Sequence, residues 1–383
     1  MLDPFPPPRW LQDLVTPWAA SLQLYSLPYH VHEVIFAFVF YQTLHSFISP
    51  RLSRALFPRH YTQLPARTQL NWDIHVVSLV QSLLVNGVAL WVMFADGERK
   101  EMTLHERIHG YTGALGLMQA LAAGYFLYDV IICTVHVNLF GPGMLLHGIS
   151  AFCVYILGFR PFVNFYAPTF ILYELSSPFL NIHWFLDKIN MTGSKLQWYN
   201  GMLLIGVFFS CRLVWGTWQS FVVYKDMWLG WKHSRSMSSS PFLDGVPTNA
   251  PVFEVRDGAL CTNEDCLQAN AEIARFANHF IDSGLPYWLP LVYVAANLAL
   301  NFLNWYWLSQ MIDAVMKRFR EPAAKVKVPP PKTTEPSQPD LVLDAAEKLK
   351  QEQGYFETGD RAEQVVSTGA QAAQGGDSLI KRN

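Results

Sequence analysis

Apolar residues run in long blocks along this chain, separated by polar or Gly- and Pro-containing stretches. A helix needs about 20 mostly apolar residues to cross a bilayer. Within lipid its backbone groups must be satisfied inside the segment itself. The first such block is 31–49 (VHEVIFAFVFYQTLHSFIS), closed by Pro50. The second, 74–95, carries no formal charge, and the third covers 111–133. The turn FGPG at 140–143 separates the third from a short fourth block at 144–159. Arg160-Pro161 breaks the chain before a fifth at 162–184; a sixth covers 200–223 and a seventh 285–313. The pattern predicts an all-α fold, a polytopic transmembrane helix bundle of about seven spans.

The remaining stretches are polar. Residues 1–30 are Pro-rich, carry Trp10 and Trp18, and read as an interfacial segment ahead of a transmembrane region at 31–318. The loop 225–284 begins Ser-rich. Further on, Thr262 and Asp265 resemble a helix-capping pair. Ile273, Phe276, Ala277, Phe280 and Ile281 then share a helical face, and Gly284 stops the pattern. A short amphipathic helix lying on the membrane is expected there. Residues 319–383 have low hydrophobicity and few aromatics, and are expected to form a disordered cytoplasmic tail.

Composition agrees. Of the 383 residues 51% are hydrophobic, 14% aromatic and 15% charged, where a soluble domain carries about 25% charged residues. The formal net charge is −2 and no basic patch is interleaved with aromatics, so membrane lipids are the expected partners and nucleic acid is not. An oligomer is compatible with the pattern. The N-terminus lacks a basic segment followed by an apolar core and a cleavage site, so the first span is expected to act as the targeting signal. Lys and Arg in the short loops favour a lumenal N-terminus and a cytoplasmic C-terminus. That places the sequon Asn190-Met191-Thr192 in the cytosol, where it stays unmodified. Cys133, Cys153 and Cys211 read as small buried hydrophobes. Cys261 and Cys266, in CTNEDC, pair only on an oxidising face, and with His279 alone nearby they make a poor zinc set. No metal site is expected elsewhere.

An ionisable residue inside a span is a functional-site hypothesis. Asp129, His147, Glu174, Asn181, His183 and Arg212 are the candidates. A lone Arg212 at mid-bilayer needs an anion, and Glu174 is its first expected partner, Asp129 its second. The pair either ties two helices together or lines a site for a lipid headgroup or acyl carbonyl. His147 is either bonded to a neighbour or acts as a general base oriented by Asp129 or Glu174. Glu174 and Asn181 are seven apart and are expected to share a helical face. Asn297, Asn301 and Asn304 also share one, as interhelical hydrogen-bonding groups. Pro178 is expected to kink the fifth span, and Gly113, Gly116 and Gly124 to allow close helix approach. Arg212, Asn181, His183 and Asn301 make up the expected lipid-binding set; His147, Asp129 and Glu174 make up the expected catalytic set. No nucleotide, hydrolase or metalloprotease motif is present, and no cofactor is expected.

The order LNWDIHVVS, GYFLYDVIICTVH, MLLHGISAF, LYELSSPFLNIHWFLDK and NGMLLIGVFFSCRLVWG resembles the TLC-domain family. The likeness covers about residues 67–318, is strongest in 120–216, and is nearer the smaller TLC-domain proteins than the ceramide synthases. It implies an endoplasmic-reticulum membrane and a role in lipid homeostasis or trafficking. Ceramide synthases carry a histidine pair where this chain has His147-Gly148, and two aspartates where it has Glu174 and Pro178. The alternative the resemblance implies is an acyl-CoA-dependent sphingoid-base N-acyltransferase. His147 would be the base, Arg212 would lie near the acyl or CoA group, and acyl-CoA would be a substrate. An accessory role for other membrane proteins is a third.

Overall fold

A computed structural model describes residues 1–238 and 286–320, with short pieces between them at 255–256, 259–260, 268 and 271–276. Nine helices carry the description: α1 (Arg9–Ser21), α2 (Leu27–Leu56), α3 (Ala66–Ala95), α4 (Leu104–His109), α5 (Gly113–Val135), α6 (Val137–Leu157), α7 (Ser177–Lys188), α8 (Lys195–Lys232) and α9 (Trp288–Arg320). A two-residue antiparallel pair, Val255–Arg256 with Ala259–Leu260, is the sole strand pairing among the described residues. Five of the helices, α2, α3, α5, α6 and α8, are long and apolar enough to cross a membrane. The chain is an all-α integral membrane protein. Its outward faces agree with that: Phe36, Phe94, Phe221 and Phe302 are all exposed, as suits side chains facing lipid.

Among the described residues, the main body lies within Met1–Val135 and Gly143–Leu308, and His136–Pro142 and Ser309–Arg320 belong to a second unit. At the centre of the main body is α5, with 72% of its apolar window buried against 39% or less for the other four. Small residues make that position available. A Cβ at Gly124 would stand 2.6 Å from Ala37 Cβ and from the Val34 carbonyl oxygen of α2. Tyr41 and Tyr125 meet edge to face across the same contact, centroids 5.2 Å apart.

Several boundaries differ from the sequence expectation. The first span does not stop at Pro50 but runs on to Leu56. The turn Leu44–Ile48 is π-helical, with the Ser49 N–H donating to the Leu44 carbonyl, and this wider turn admits the proline ring. The second span starts two turns early, at Ala66. α6 is interrupted at Gly141, whose φ is +75°, and Pro142. The part from Gly143 to Leu157 is about 22 Å long at 1.5 Å per residue, so α6 reaches the roughly 30 Å of a hydrocarbon core only when the turn before Gly141 is counted.

The fifth expected span is not one helix. Val163 takes a left-handed conformation (φ +53°), and the chain proceeds through a 3-10 turn (Asn164–Tyr166), a short α-helix (Ala167–Ile171), a second 3-10 turn (Leu172–Ser176) and then α7. Pro178 sits in the first turn of α7, directly after that break. Ile108, Phe162, Tyr166, Val223, Met227, Leu289 and Tyr293 form one apolar cluster around the irregular stretch. Arg107 clamps it by pairing with Asp226 at 3.0 Å, and Tyr166 donates to the same carboxylate at 2.5 Å.

Of the amphipathic stretch in the polar loop, Ile273 and Phe276 are described. Both are buried against protein: the Tyr111 N–H donates to the Ile273 carbonyl, and the Tyr111 and Phe276 rings meet at 5.0 Å. Its remaining residues, the Thr262/Asp265 pair, Cys261, Cys266 and the tail from 321 lie outside the described residues.

Candidate functional site

Arg212 sits in a π-helical turn of α8, Phe209–Trp215. Such turns widen the helix and re-aim a side chain. Here the guanidinium points to the second 3-10 turn. Nη2 lies 3.5 Å from Glu174 Oε1 and donates to Ser177 Oγ at 3.4 Å. Nε donates to Ser176 Oγ at 3.1 Å and Nη1 to Asn304 Oδ1 of α9 at 3.3 Å. The Phe208 ring covers it at 5.0 Å. Ser177 donates in turn to Glu174 Oε2 at 2.6 Å. Both charges are buried, so the acceptors around the guanidinium offset its desolvation as much as the carboxylate does. The Glu174–Arg212 partnership expected from the sequence is present. The serines that supply the remaining acceptors are those ahead of Pro178.

Asp129 is not part of this pair, nor does it hydrogen-bond His147. Its Oδ1 takes a long contact from Cys133 Sγ at 3.8 Å. Its Oδ2 lies 2.9 Å from where a Cβ on Gly148 would stand. The glycine beside His147 makes room for the carboxylate. Consecutive helix positions point about 100° apart, so the acid that meets Gly148 does not meet His147. The His147 ring packs between Phe126 and Trp307, at 6.3 and 5.6 Å, and its buried Nδ1 has no hydrogen-bond partner among the described residues.

Asn181 and His183 also lie apart from the pair. Asn181 Oδ1 is 2.7 Å from His75 Nδ1, its Nδ2 donates to Ser78 Oγ at 3.0 Å, and His75 stacks on Trp184. It joins α7 to α3. His183 faces α8, its ring carbon 3.2 Å from a Cβ built on Gly201. Glu174 and Asn181, expected to share a helical face, sit in different elements, the second 3-10 turn and α7, and meet different helices, α8 and α3. Asn301 belongs to the hydrogen-bonded ladder: Nδ2 donates to Ser220 Oγ at 3.2 Å and to Asn297 Oδ1 at 2.9 Å, while Tyr224 donates to Asn297 at 2.6 Å.

His147, Glu174, Arg212, Asn297 and Asn304 open on one cavity within the main body, with about 890 Å³ of empty space when its opening to solvent is counted. Phe126, Ala151, Val154, Phe162, Phe170, Val223, Met227, Tyr293 and Leu300 supply the apolar wall. Two further polar residues line it, Gln119 and Asn164. Gln119 donates to the Tyr155 carbonyl. Both amide atoms of Asn164, Asn304 Nδ2 and His147 Nδ1 are buried without a hydrogen-bond partner among the described residues. Asn164 and Gln119 were not singled out from the sequence. Their signal was an amide inside an apolar block, which is weaker than a charge there.

The chain can chemically do two things with this arrangement. It can hold an elongated apolar molecule whose polar end meets unpartnered amides and the Arg212 cluster. It can also present an imidazole nitrogen to that molecule.

Residues 71–313 match the family described as TLC domain. An uncharacterized TLC domain-containing protein of Schizosaccharomyces pombe is 33% identical over 311 residues, 81% of this chain and 87% of its own length. The Saccharomyces cerevisiae protein named topoisomerase I damage affected protein 4 is 34% identical over 206 residues, 52% of this chain and 71% of its own. Human TLC domain-containing protein 4 is 29% identical over 180 residues, 46% of this chain and 66% of its own.

Proposed function

This chain belongs to the TLC-domain family, and on that premise we propose that it binds a lipid inside its helix bundle and acts in membrane lipid homeostasis or trafficking. The observation that carries the reading is the cavity among these helices, apolar along most of its wall. Along that wall, buried polar atoms of His147, Asn164 and Asn304 lack hydrogen-bond partners among the described residues. A buried polar atom without a partner costs about 1–3 kcal/mol. A ligand with a carbonyl, hydroxyl or amide at one end and a hydrocarbon chain behind it satisfies both halves of the wall. We place the protein in the endoplasmic-reticulum membrane, as the TLC-domain likeness implies, with its C-terminus in the cytosol, as the Lys and Arg distribution implies.

Native mass spectrometry of the detergent-purified chain tests the binding. Wild type is expected to retain a lipid, and Ala151→Phe, which projects a ring into the cavity, to lose it while still unfolding cooperatively. The same retained lipid in both proteins removes the proposal.

A second reading is favoured by one observation, the unpartnered Nδ1 of His147 in that same cavity. It is N-acylation of a sphingoid amine by acyl-CoA. His147 would take the amine proton as the nitrogen attacks the thioester carbonyl and the CoA thiolate leaves. Glu174 is committed to Arg212 and Ser177, and Asp129 to the Gly148 side, so neither orients the imidazole. Lipidomics of a deletion strain separates the readings. Ceramides that fall in the deletion and return with wild type but not with His147→Ala support acylation; unchanged ceramides exclude it.

A further inference from the structure

Away from the cavity, at the start of α2, three side chains converge that the lipid reading does not use. His30 Nδ1 lies 2.7 Å from Glu33 Oε2 and 3.3 Å from Asp3 Oδ2. His30 and Glu33 are i and i+3 on one helix face; Asp3 arrives from the N-terminal segment. Their donor atoms all lie within 4.8 Å of one another. We propose that Asp3, His30 and Glu33 form a site for a divalent transition cation of the zinc or manganese class.

The donor spacing fits. With bonds of about 2.0–2.1 Å, neighbouring ligands of one centre stand about 2.9–3.4 Å apart. One imidazole with two carboxylates is a donor set these cations accept, and three protein ligands leave a position open. The imidazole is oriented as metal-bound histidines are. Its far nitrogen, Nε2, meets the Tyr111 hydroxyl at 2.6 Å, which leaves Nδ1 to face the carboxylates. The ring cannot retreat, because it fills the place of a side chain at Gly116, where a Cβ would stand 2.0 Å from Nε2. Asp3 is likewise held, its backbone N–H occupying the space beside Gly113.

The second observation is an unmet need for positive charge. Glu33 is 4% exposed, and its Oε1 has no hydrogen-bond partner among the described residues; Asp3 Oδ2 also has none. Two cations border this corner, and each has carboxylates of its own. The Met1 ammonium pairs with Asp96 and Glu98, and Arg275, stacked over Tyr29 and Tyr111, pairs with Glu272 at 2.8 Å. A cation among Asp3, His30 and Glu33 would neutralise the two carboxylates and staple the N-terminal segment to α2 and, through Tyr111, to the start of α5. The other occupant that fits is a single proton shared between Nδ1 and Glu33.

Titration of the purified full chain, stripped with chelator, distinguishes these. Co2+ is the spectroscopic probe and Zn2+ the stability probe. A metal site yields a visible Co2+ band that saturates at equimolar metal, and a Zn2+-dependent rise of several degrees in the unfolding midpoint. Both should be lost in Glu33→Gln and in Asp3→Asn, with either variant melting where stripped wild type does. Asp3→Asn, close to the chain start, serves should Glu33→Gln fail to fold. No band and no shift in wild type overturn the proposal in favour of the proton. A band that survives in the variants, or one with the intense near-ultraviolet absorption of thiolate ligands, overturns it in favour of Cys261 and Cys266.

Discussion

The Arg212 guanidinium and the Glu174 carboxylate lie 3.5 Å apart though 38 residues separate them, and Ser176, Ser177 and Asn304 complete the cage. Removing one member of a buried pair leaves the other charge uncompensated, at a cost of about 3–5 kcal/mol, whereas removing both is far milder. Arg212→Met and Glu174→Gln are each expected to lower the unfolding midpoint in detergent sharply. The double variant should lie closer to wild type than either single one. Additive losses would mean that the two do not act as a pair.

Gly148 is expected to resist substitution because of Asp129. The Cβ of Gly148→Ala would enter the 2.9 Å gap to Asp129 Oδ2, and overpacking of this kind costs about 1–3 kcal/mol. Adding Asp129→Ala should recover most of the loss. Thermal melts of the single and double variants check this, and a Gly148→Ala protein with a wild-type midpoint contradicts it.

The asparagine ladder on α9 should contribute modestly. Asn297→Leu strands the Tyr224 hydroxyl, which donates to it at 2.6 Å, and the Asn301 amide. Interhelical hydrogen bonds in a bilayer average about 0.6 kcal/mol and reach about 1.7. A double-mutant cycle with Tyr224→Phe should return a coupling within that range.

Sidedness has its own check. Asn190 is exposed in the turn between α7 and α8, with a positive φ of 62°. With that turn in the cytosol, the sequon Asn190-Met191-Thr192 stays unglycosylated. Endoglycosidase treatment should therefore leave the mobility of membrane-derived protein unchanged; a shift abolished by Asn190→Gln would invert the assigned topology.

Much of the fold was legible because the bilayer imposes it. A span must be apolar for about 20 residues, and that requirement is written directly in composition. It identified the blocks that became α2, α3, α5, α6 and α8, and the TLC-domain resemblance in 120–216 came from the polar residues those blocks tolerate. The cost of an unpaired charge in lipid also linked Arg212 to Glu174 before any coordinates, since each needed the other.

Direction was not legible. Which helices Glu174 and Asn181 meet depends on the 3-10 turn that separates them into two elements, and apolar composition is the same for a 3-10 turn and an α-helix. Whether Asp129 reaches His147 or Gly148 turns on a single helical step. Which blocks stay continuous was settled at Val163, Gly141 and the π turn before Pro50, by backbone dihedrals that hydropathy does not record. The cluster of Asp3, His30 and Glu33 illustrates the division. His30 and Glu33 are visible in sequence as one helix face, but the third ligand comes from a segment 27 residues away, held by the space beside glycines on α5. Sequence by itself determined that this chain lives in a membrane and which charges it must bury. Tertiary packing alone decided which of those side chains meet, because close contact is set by rotation about each helix axis and by the small residues that let backbones approach.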